Sequence, residues 1–214
     1  MSQIYFVSGI DTNIGKSYVT GFLATKWTKE DKKVITQKPV QTGCVDVAED
    51  IIHHRKMMGI DLLPEDKNGL TMPEIFTYPA SPHLAAKIDK RAIDFEKIDK
   101  ATKMLSENYD IVLIEGAGGL MVPLTEDFLI IDYIAQKQYP IILVTSGRLG
   151  SINHTLLSFE AIERRGLTLH SVVYNLYDEN PDPIISNDTY EFIKKQMSIR
   201  FPEAELIMME TSEL

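Results

Sequence analysis

Short runs of apolar residues alternate along this chain with longer segments in which apolar residues recur every three or four positions. The short runs predict buried strands, and the longer period predicts helices that pack one face against a sheet. The predicted strands are residues 4–7, 33–37, 111–114, 140–144, 169–174 and 205–208. The predicted helices are residues 16–29, 46–58, 95–107, 128–137, 155–164 and 187–199, and a further helix opens at Pro82 with Ser81 as its cap.

The regular alternation of strand and helix predicts an α/β fold. It indicates a doubly wound, mostly parallel sheet with right-handed crossovers, built as a single domain over residues 1–214. Two places depart from this alternation. Pro39 ends the second strand and predicts a loop from Lys38 onwards, and residues 59–82 contain proline, glycine and aspartate and are predicted to be mostly loop. A loop of that length is expected to line the functional site.

Composition narrows the class of protein. A hydrophobic content of 44% and a charged content of 25% are ordinary for a soluble globular chain. The net charge of −9 argues against a nucleic-acid partner, because phosphate backbones require a basic surface. The single cysteine, Cys44, excludes an internal disulfide, and neither a secretory signal nor a membrane-spanning apolar run is visible. We therefore expect a cytoplasmic protein without a membrane partner.

The segment from Gly9 to Ser17 lies between the first strand and the first helix and predicts a phosphate-binding loop. Its glycines allow backbone N–H groups to surround phosphate oxygens, Lys16 would reach the β- and γ-phosphates, and the Ser17 hydroxyl would bind Mg²⁺. Five residues separate Gly9 from Gly15, where the common motif has four. A chance match is the alternative, but the flanking strand and helix favour a P-loop NTPase-like protein that binds a nucleoside triphosphate.

Two further segments are predicted to lie at the same edge of the sheet, where open α/β sheets bind ligands. Lys38 and Thr42 follow the second strand, and a solvated loop lysine is the alternative interpretation of Lys38. Glu115 ends the strand 111–114 and is followed by a glycine-rich turn. A carboxylate at the end of a central strand, followed by small residues, is the usual second metal position of phosphate-loop proteins.

Other polar clusters allow simpler interpretations. Asp46, Glu49 and Asp50 crowd a helix start, where anions complement the helix dipole. Adjacent His53 and His54 do not have the spacing of a helical metal pair and are interpreted as surface or core residues. Residues 150–154 lead into a helix that Ser151 or Asn153 could cap, and its free N–H groups would still hold an anion.

Five motifs taken together resemble the dethiobiotin synthetase family. They are Gly9–Ser17 with its five-residue gap, Lys38-Pro-Val-Gln-Thr-Gly43, Ser81-Pro-His83, Glu115-Gly-Ala-Gly-Gly119 and Gly150-Ser-Ile-Asn-His154. The resemblance covers residues 1 to about 175. It implies an enzyme that uses ATP and Mg²⁺ to join CO₂ to 7,8-diaminopelargonic acid, through a carbamate and a carbamic–phosphoric anhydride, and releases dethiobiotin, ADP and phosphate.

The resemblance also implies roles for individual residues. Lys16, Lys38 and Thr12 would be catalytic, and Ser17, Asp50 and Glu115 would bind the metal. The residues expected to contact the nucleotide are Gly9, Asn13, Ile14, Gly15, Lys16, Ser17, Tyr18, Asp50, Glu115, Gly116, Ala117, Gly118 and, at the adenine, Asn175. The residues expected to contact the substrate are Thr12, Lys38, Thr42 and, from the other subunit of a homodimer, Gly150, Ser151 and Asn153.

Some features depart from the family pattern. Asn13 stands where some members carry glutamate, and the last 40 residues match poorly, without the family's Gly-x-Pro turn and final helix. We therefore expect weak discrimination among nucleotide bases. The main rival is a nucleotide-switch or partitioning ATPase of the same fold. Such proteins usually carry an additional lysine near the start of the loop. This chain has no lysine at residues 8–11, which argues against that alternative.

Overall fold

A six-stranded parallel sheet forms the centre of the computed structural model, which describes residues 2–177 and 182–209. The strand order is β2-β5-β1-β6-β7-β8, and every neighbouring pair is parallel. The strands of this sheet are β1 (Gln3–Gly9), β2 (Val34–Gln37), β5 (Ile111–Gly119), β6 (Ile141–Ser146), β7 (Leu169–Asn175) and β8 (Glu205–Met209). The predicted α/β, mostly parallel architecture is confirmed.

The strand β1 lies in the interior of the sheet, between β5 and β6. From β1 the chain first builds one side of the sheet, with β2 and β5, and then the other side, with β6, β7 and β8. The crevice at the carboxyl end of β1 is therefore the point at which the direction of winding changes. Open α/β sheets bind their ligands at such a point.

Helices cover the sheet and bury its apolar strands. They are α1 (Lys16–Lys29), α2 (Glu49–Met58), α3 (Pro64–Lys67), α4 (Pro82–Ile88), α5 (Phe95–Asn108), α6 (Ile130–Lys137), α7 (Ser151–Arg164) and α8 (Pro183–Arg200). The runs 111–114 and 141–144 are buried throughout because helices pack on both faces of the sheet. Within the described ranges no helix is both long and apolar enough to cross a lipid bilayer.

The prediction of loops after Lys38 and across residues 59–82 is wrong in part. Val40–Thr42 forms a strand, β3, that pairs in parallel with β4 (Glu74–Phe76) in a separate two-stranded sheet. The short helix α3 also lies within residues 59–82. Pro39 ends β2 as predicted, but the chain resumes pairing with a partner about 30 residues away in sequence, which no local pattern indicates.

Several element ends also differ from the predictions. The strand β5 continues through Glu115 to Gly119, which pairs with Gly9 of β1. A glycine at position 119 allows this close approach, because a Cβ on residue 119 would lie 3.1 Å from the Gly9 carbonyl oxygen. The helix α2 begins at Glu49 rather than at Asp46. The helix α7 begins at Ser151 rather than at 155, because Gly150 adopts φ = 96° and starts the helix itself.

Candidate active site

The phosphate-binding loop connects β1 to α1 in the crevice of the sheet. Gly15 has φ = 92°, which favours glycine, and a side chain there would collide with Asn175. The next residue, Lys16, is the first of α1 and is buried. Its ammonium turns back over the loop and donates to the carbonyl oxygen of Asp11 at 3.2 Å. The loop thus presents a cation and a helix N-terminus to one site, as an anion-binding loop requires.

Three oxygen-bearing side chains meet beside this loop. The Ser17 hydroxyl lies 2.8 Å from Asp50 Oδ1 and 2.9 Å from Glu115 Oε1. Ser17 comes from α1, Asp50 from the first turn of α2 and Glu115 from β5. Among the described residues no group of three or more His, Cys, Asp or Glu side chains could hold a metal ion. Two carboxylates and a hydroxyl are nevertheless hard oxygen donors of the kind that Mg²⁺ prefers, so the donor set fits that ion.

The Lys38 ammonium joins the two carboxylates. Its Nζ lies 2.7 Å from Asp50 Oδ2 and 3.0 Å from Glu115 Oε1, and it donates to the carbonyl oxygen of Gly116 at 3.2 Å. The residue is only 5% exposed, so the alternative of a solvated loop lysine is wrong. The linker between β2 and β3 places it here because Pro39 ends β2 at the carboxyl edge of the sheet.

Burial and neighbouring charges have opposite effects on the pKa values of Glu115 and Lys38. Burial alone would raise the pKa of Glu115, but the Lys38 ammonium and hydrogen bonds from His54 and Lys38 hold that pKa far below its usual range. Burial alone would lower the pKa of Lys38, and the charges of Glu115 and Asp50 raise it instead. Burial and the nearby Lys38 lower the pKa of Lys16. Glu115 is therefore an anion and Lys38 a cation at neutral pH.

An open cavity of about 750 Å³ lies in front of this cluster. Most of the residues predicted to form the site line it. They are Thr12, Asn13, Gly15, Lys16, Ser17, Tyr18, Lys38, Thr42, Asp50, Glu115, Ala117 and Gly118. The segment 79–82 also lines it, so only the end of the long predicted loop borders the site. The exposed Tyr18 ring stands at its edge and packs edge-to-face on His53, with ring centroids 4.2 Å apart.

Other predicted site residues do not line this cavity. Gly9 and Ile14 belong to the backbone of the phosphate loop, and the Gly116 carbonyl oxygen accepts from Lys38. Asn175 is buried behind the loop, where its amide nitrogen donates to the Ile14 carbonyl oxygen at 3.1 Å and its Oδ1 accepts from the backbone N–H of Tyr177 at 3.0 Å. Asn175 therefore connects β7 to the phosphate loop.

The segment Gly150, Ser151 and Asn153 is also separate from the cavity of its own chain. Ser151 is buried and bonds to Ser146, whereas Asn153 is exposed. The prediction that Ser151 or Asn153 caps α7 is wrong, because Gly150 occupies the cap position and no side chain closes it.

His54 is the principal site residue that the sequence analysis missed. Its Nε2 lies 2.8 Å from Glu115 Oε2, and its ring is fully buried. His54 follows Asp50 by four positions on α2, so both point from the same helix face towards the sheet. That spacing was a usable signal. The ion pair of Arg148 with Asp11 in the phosphate loop had no such signal, because 137 residues separate the two.

Comparisons with known proteins give a consistent result. An AAA domain family model matches residues 3–202. The ATP-dependent dethiobiotin synthetase BioD 2 of Pasteurella multocida is 51% identical over 197 residues, which are 92% of each chain. The ATP-dependent dethiobiotin synthetase BioD of Chlorobaculum tepidum is 49% identical over 212 residues, covering 99% of this chain and 89% of the relative.

The solved structures support the fold alone. A plasmid partition protein of Borrelia burgdorferi bound to AMPPNP superposes with a TM-score of 0.60 at 12% identity, over 100% of this chain and 87% of that chain. Such low identity carries no information about the reaction. It does show that the P-loop NTPase-like architecture predicted from the sequence is correct.

Proposed function

This chain belongs to the dethiobiotin synthetase family, and we propose that it converts 7,8-diaminopelargonic acid, CO₂ and ATP into dethiobiotin, ADP and phosphate. The observation that carries the proposal is the position of Lys38. It is a buried lysine outside the phosphate loop, within hydrogen-bond distance of both carboxylates that meet Ser17. A module that only binds a nucleotide needs the loop, but it does not need a second buried ammonium beside it.

The proposed reaction is a ligation that forms two carbon–nitrogen bonds. One amine of the substrate attacks CO₂ and loses a proton to give a carbamate. A carbamate oxygen then attacks the γ-phosphorus of ATP, and the bond to the β-phosphate oxygen breaks to release ADP. The second amine attacks the carbamate carbon of the mixed anhydride, the carbon–oxygen bond to phosphate breaks, and the cyclic urea closes with release of phosphate and a proton.

The catalytic residues in this proposal are Lys16, Lys38 and Thr12. The two lysines would lie on either side of the transferred phosphoryl group and stabilise the charge that develops on its oxygens. Lys38 would also contact the carbamate, and Thr12 and Thr42 would hydrogen-bond the diamine or the carbamate. The burial of both lysines supports this role, because an ammonium acts more strongly where water is excluded.

Ser17, Asp50 and Glu115 are the residues that would hold Mg²⁺. Their convergence within hydrogen-bond distance supports this part of the proposal. The bound ion would neutralise phosphate charge and orient the triphosphate. In this structure the Lys38 ammonium supplies the positive charge next to the same two carboxylates.

We further propose that the nucleotide lies along the phosphate loop. The expected contacts are those from Gly9, Asn13, Ile14, Gly15, Lys16, Ser17, Tyr18, Gly116, Ala117 and Gly118. Asn175 would contact the base, although its amide already bonds to Ile14 and to Tyr177. Because half of its hydrogen-bonding capacity is occupied, we expect kcat/KM for ATP to exceed that for GTP or CTP by about tenfold or less. A preference above about a hundredfold would contradict this expectation.

A homodimer would complete the substrate site. Gly150, Ser151 and Asn153 lie apart from the cavity of their own chain, and large apolar side chains are exposed nearby, with Leu149 84% and Leu157 60% exposed. Apolar surface of this kind is typical of an interface. We propose a two-fold dimer in which this segment reaches the substrate carboxylate in the neighbouring subunit.

The decisive experiment measures incorporation of labelled bicarbonate into diaminopelargonic acid. We expect acid-stable label to accumulate with ATP and Mg²⁺, at one ADP released for each product formed. Release of ADP without incorporation of label would instead support a nucleotide-switch ATPase. The Lys38→Ala variant is the control for label incorporated by a contaminating enzyme.

A further inference from the structure

A buried chain of hydrogen bonds runs from α3 to the active site. Two side-chain bonds link Arg55 to Asp66, each 2.9 Å long, and Arg55 Nη1 donates to the Thr36 hydroxyl at 2.9 Å. The Thr36 hydroxyl lies 3.0 Å from His54 Nδ1, and His54 Nε2 lies 2.8 Å from Glu115 Oε2. All five residues are at most 2% exposed. We call this sequence of bonds the Asp66–Glu115 chain.

The contacts of the Asp66–Glu115 chain indicate which of its groups donate and which accept. Glu115 is an ionised carboxylate and only accepts, so His54 Nε2 must carry a proton and donate it. Arg55 only donates, so the Thr36 oxygen accepts from it. The one remaining hydroxyl proton of Thr36 then points to His54 Nδ1, its only acceptor among the contacts of the described residues. The contacts therefore place a proton on Nε2 of His54, directed at Glu115.

This arrangement fixes the orientation of one carboxylate. The bond from His54 holds Oε2 of Glu115, while Oε1 faces Ser17 and Lys38. Without it, only the bonds from Ser17 and Lys38 to Oε1 would restrain the carboxylate of Glu115 about its last side-chain bond. An apolar residue of similar size at position 54 would fill the space between α2 and the sheet without two buried polar nitrogens that need partners. The histidine therefore contributes something other than packing.

We propose that His54 is a positioning residue that orients Glu115 for Mg²⁺, and that Thr36, held by Arg55 and Asp66, fixes the orientation of the His54 ring. This inference rests on the proposed function, since Glu115 must be a metal ligand. Groups that hydrogen-bond metal ligands from outside commonly change metal affinity by about 10–100-fold when they are removed. The other four residues of the Asp66–Glu115 chain would act on Glu115 in the same way, without touching substrate or metal themselves.

The test measures how much Mg²⁺ strengthens ATP binding. The measured ratio is the dissociation constant of ATP in EDTA divided by that in saturating Mg²⁺. Both constants come from calorimetry in the absence of the diamine. We expect His54→Leu to reduce this ratio about tenfold or more while binding in EDTA stays unchanged. His54→Gln keeps a donor that can reach Glu115 and should retain most of the ratio. Thr36→Val should reduce it less than His54→Leu does, because the ring remains but can turn.

Thr102→Val is the matched control, because Thr102 is equally buried and its hydroxyl bonds to Gln37 and Ile98. We expect it to leave the ratio unchanged. An unchanged ratio in His54→Leu, or an equal loss in His54→Gln, would overturn the positioning role. If His54→Leu does not fold, the test relies on His54→Gln and Thr36→Val. The positioning role is then overturned if Thr36→Val has the same ratio as the wild type.

Glu115→Gln separates failure of this inference from failure of the proposed metal site. A reduced ratio in Glu115→Gln with an unchanged ratio in His54→Leu would overturn the positioning role alone. An unchanged ratio in Glu115→Gln would overturn the metal role of Glu115 and the inference with it.

Discussion

At the scale of single residues, Lys38 has the largest expected effect on the reaction. Its ammonium is buried between Asp50 and Glu115 and lies outside the phosphate loop. We expect Lys38→Ala to lower kcat by about 10²–10³, because an electrostatic group that stabilises the transferred phosphoryl is lost. Binding of the nucleotide in EDTA should change little.

The measurement is kcat from product formation together with ATP affinity from calorimetry. Lys33→Ala, an exposed lysine at the start of the same segment, is the matched control and should behave like wild type. A Lys38→Ala enzyme that kept more than about a tenth of the wild-type kcat would remove Lys38 from the mechanism.

A second residue-scale prediction separates three neighbouring acids. Asp50 contacts Ser17, whereas Glu49 is exposed and Asp46 lies outside α2. Asp50→Asn should raise the Mg²⁺ concentration for half-maximal rate about tenfold or more, since one of two charged ligands is lost. Glu49→Gln and Asp46→Asn should titrate like wild type. The reverse pattern in a Mg²⁺ titration of the initial rate would show that the assignment of Asp50 is wrong.

At the scale of elements, the ion pair between Arg55 and Asp66 fixes α3 against α2. Asp66 is fully buried and accepts two bonds from Arg55, one from Thr71 and one from the backbone of Leu63. Burial alone would raise its pKa, but the bonds from Arg55 and Thr71 outweigh burial and lower it. Removal of one partner of a buried pair leaves a charge without compensation, which costs about 3–5 kcal/mol.

Asp66→Asn should therefore reduce the free energy of unfolding by about 3 kcal/mol at neutral pH. Because the folded-state pKa is lowered, the contribution of the carboxylate is complete above its unfolded pKa of about 3.9 and is lost as the pH falls below it. Urea unfolding should give a constant difference from wild type between pH 8 and pH 5, on the order of 3 kcal/mol, that narrows below about pH 4. Asp61→Asn, at an exposed position, is the control. A difference that widened in acid would contradict the ion pair.

Elements could be predicted from the sequence where local periodicity decided them. The helix α1 was predicted from Lys16 to Lys29 as observed, because its apolar spacing and the preceding Gly15 are local features. The strand β3 could not be predicted from local periodicity, because its partner β4 lies about 30 residues away and pairing is a tertiary property. The start of α8 was missed because Pro183 and the cap Asp182 precede its periodic part.

The residues of the candidate site also differ in whether local sequence features predict them. The residues of the phosphate loop, Lys38 and Glu115 could be identified because each follows a short apolar run in the sequence that predicts a buried strand. His54 is interpreted from the sequence as a surface or core residue, because its position four residues after Asp50 indicates a site residue only once Asp50 itself is known to belong to the site. Its role became visible only when β5 placed Glu115 opposite α2.

At the scale of the whole molecule, the proposed dimer makes a prediction about mixed subunits. Asn153→Ala should be severely impaired if the segment 150–153 acts on the neighbouring site. A heterodimer of a Lys38→Ala chain with an Asn153→Ala chain would contain one site with both defects and one intact site. Subunit exchange between the two inactive variants should therefore restore part of the incorporation of labelled bicarbonate.

Native mass spectrometry of differently sized subunits would verify that heterodimers form. The control is a mixture of Lys38→Ala with Lys16→Ala. Both lysines belong to the site of their own chain, so each site of such a heterodimer carries one defect and no activity should be restored. Heterodimers without recovered activity in the first mixture would show that each site is built from a single chain.

The ties of the phosphate loop to its surroundings have a consequence for the thermodynamics of nucleotide binding. Asn175 holds the loop at Ile14, Arg148 holds it at Asp11, and Lys16 bonds across it. Ordering a free backbone costs about 1–2 kcal/mol per residue at room temperature. A loop that these contacts have already ordered avoids most of that entropic loss when the triphosphate arrives. Preorganisation therefore leaves more of the phosphate contact energy available as affinity. Removing the contact from Asn175 or the one from Arg148 should make association entropically less favourable, while the contacts to the phosphates remain.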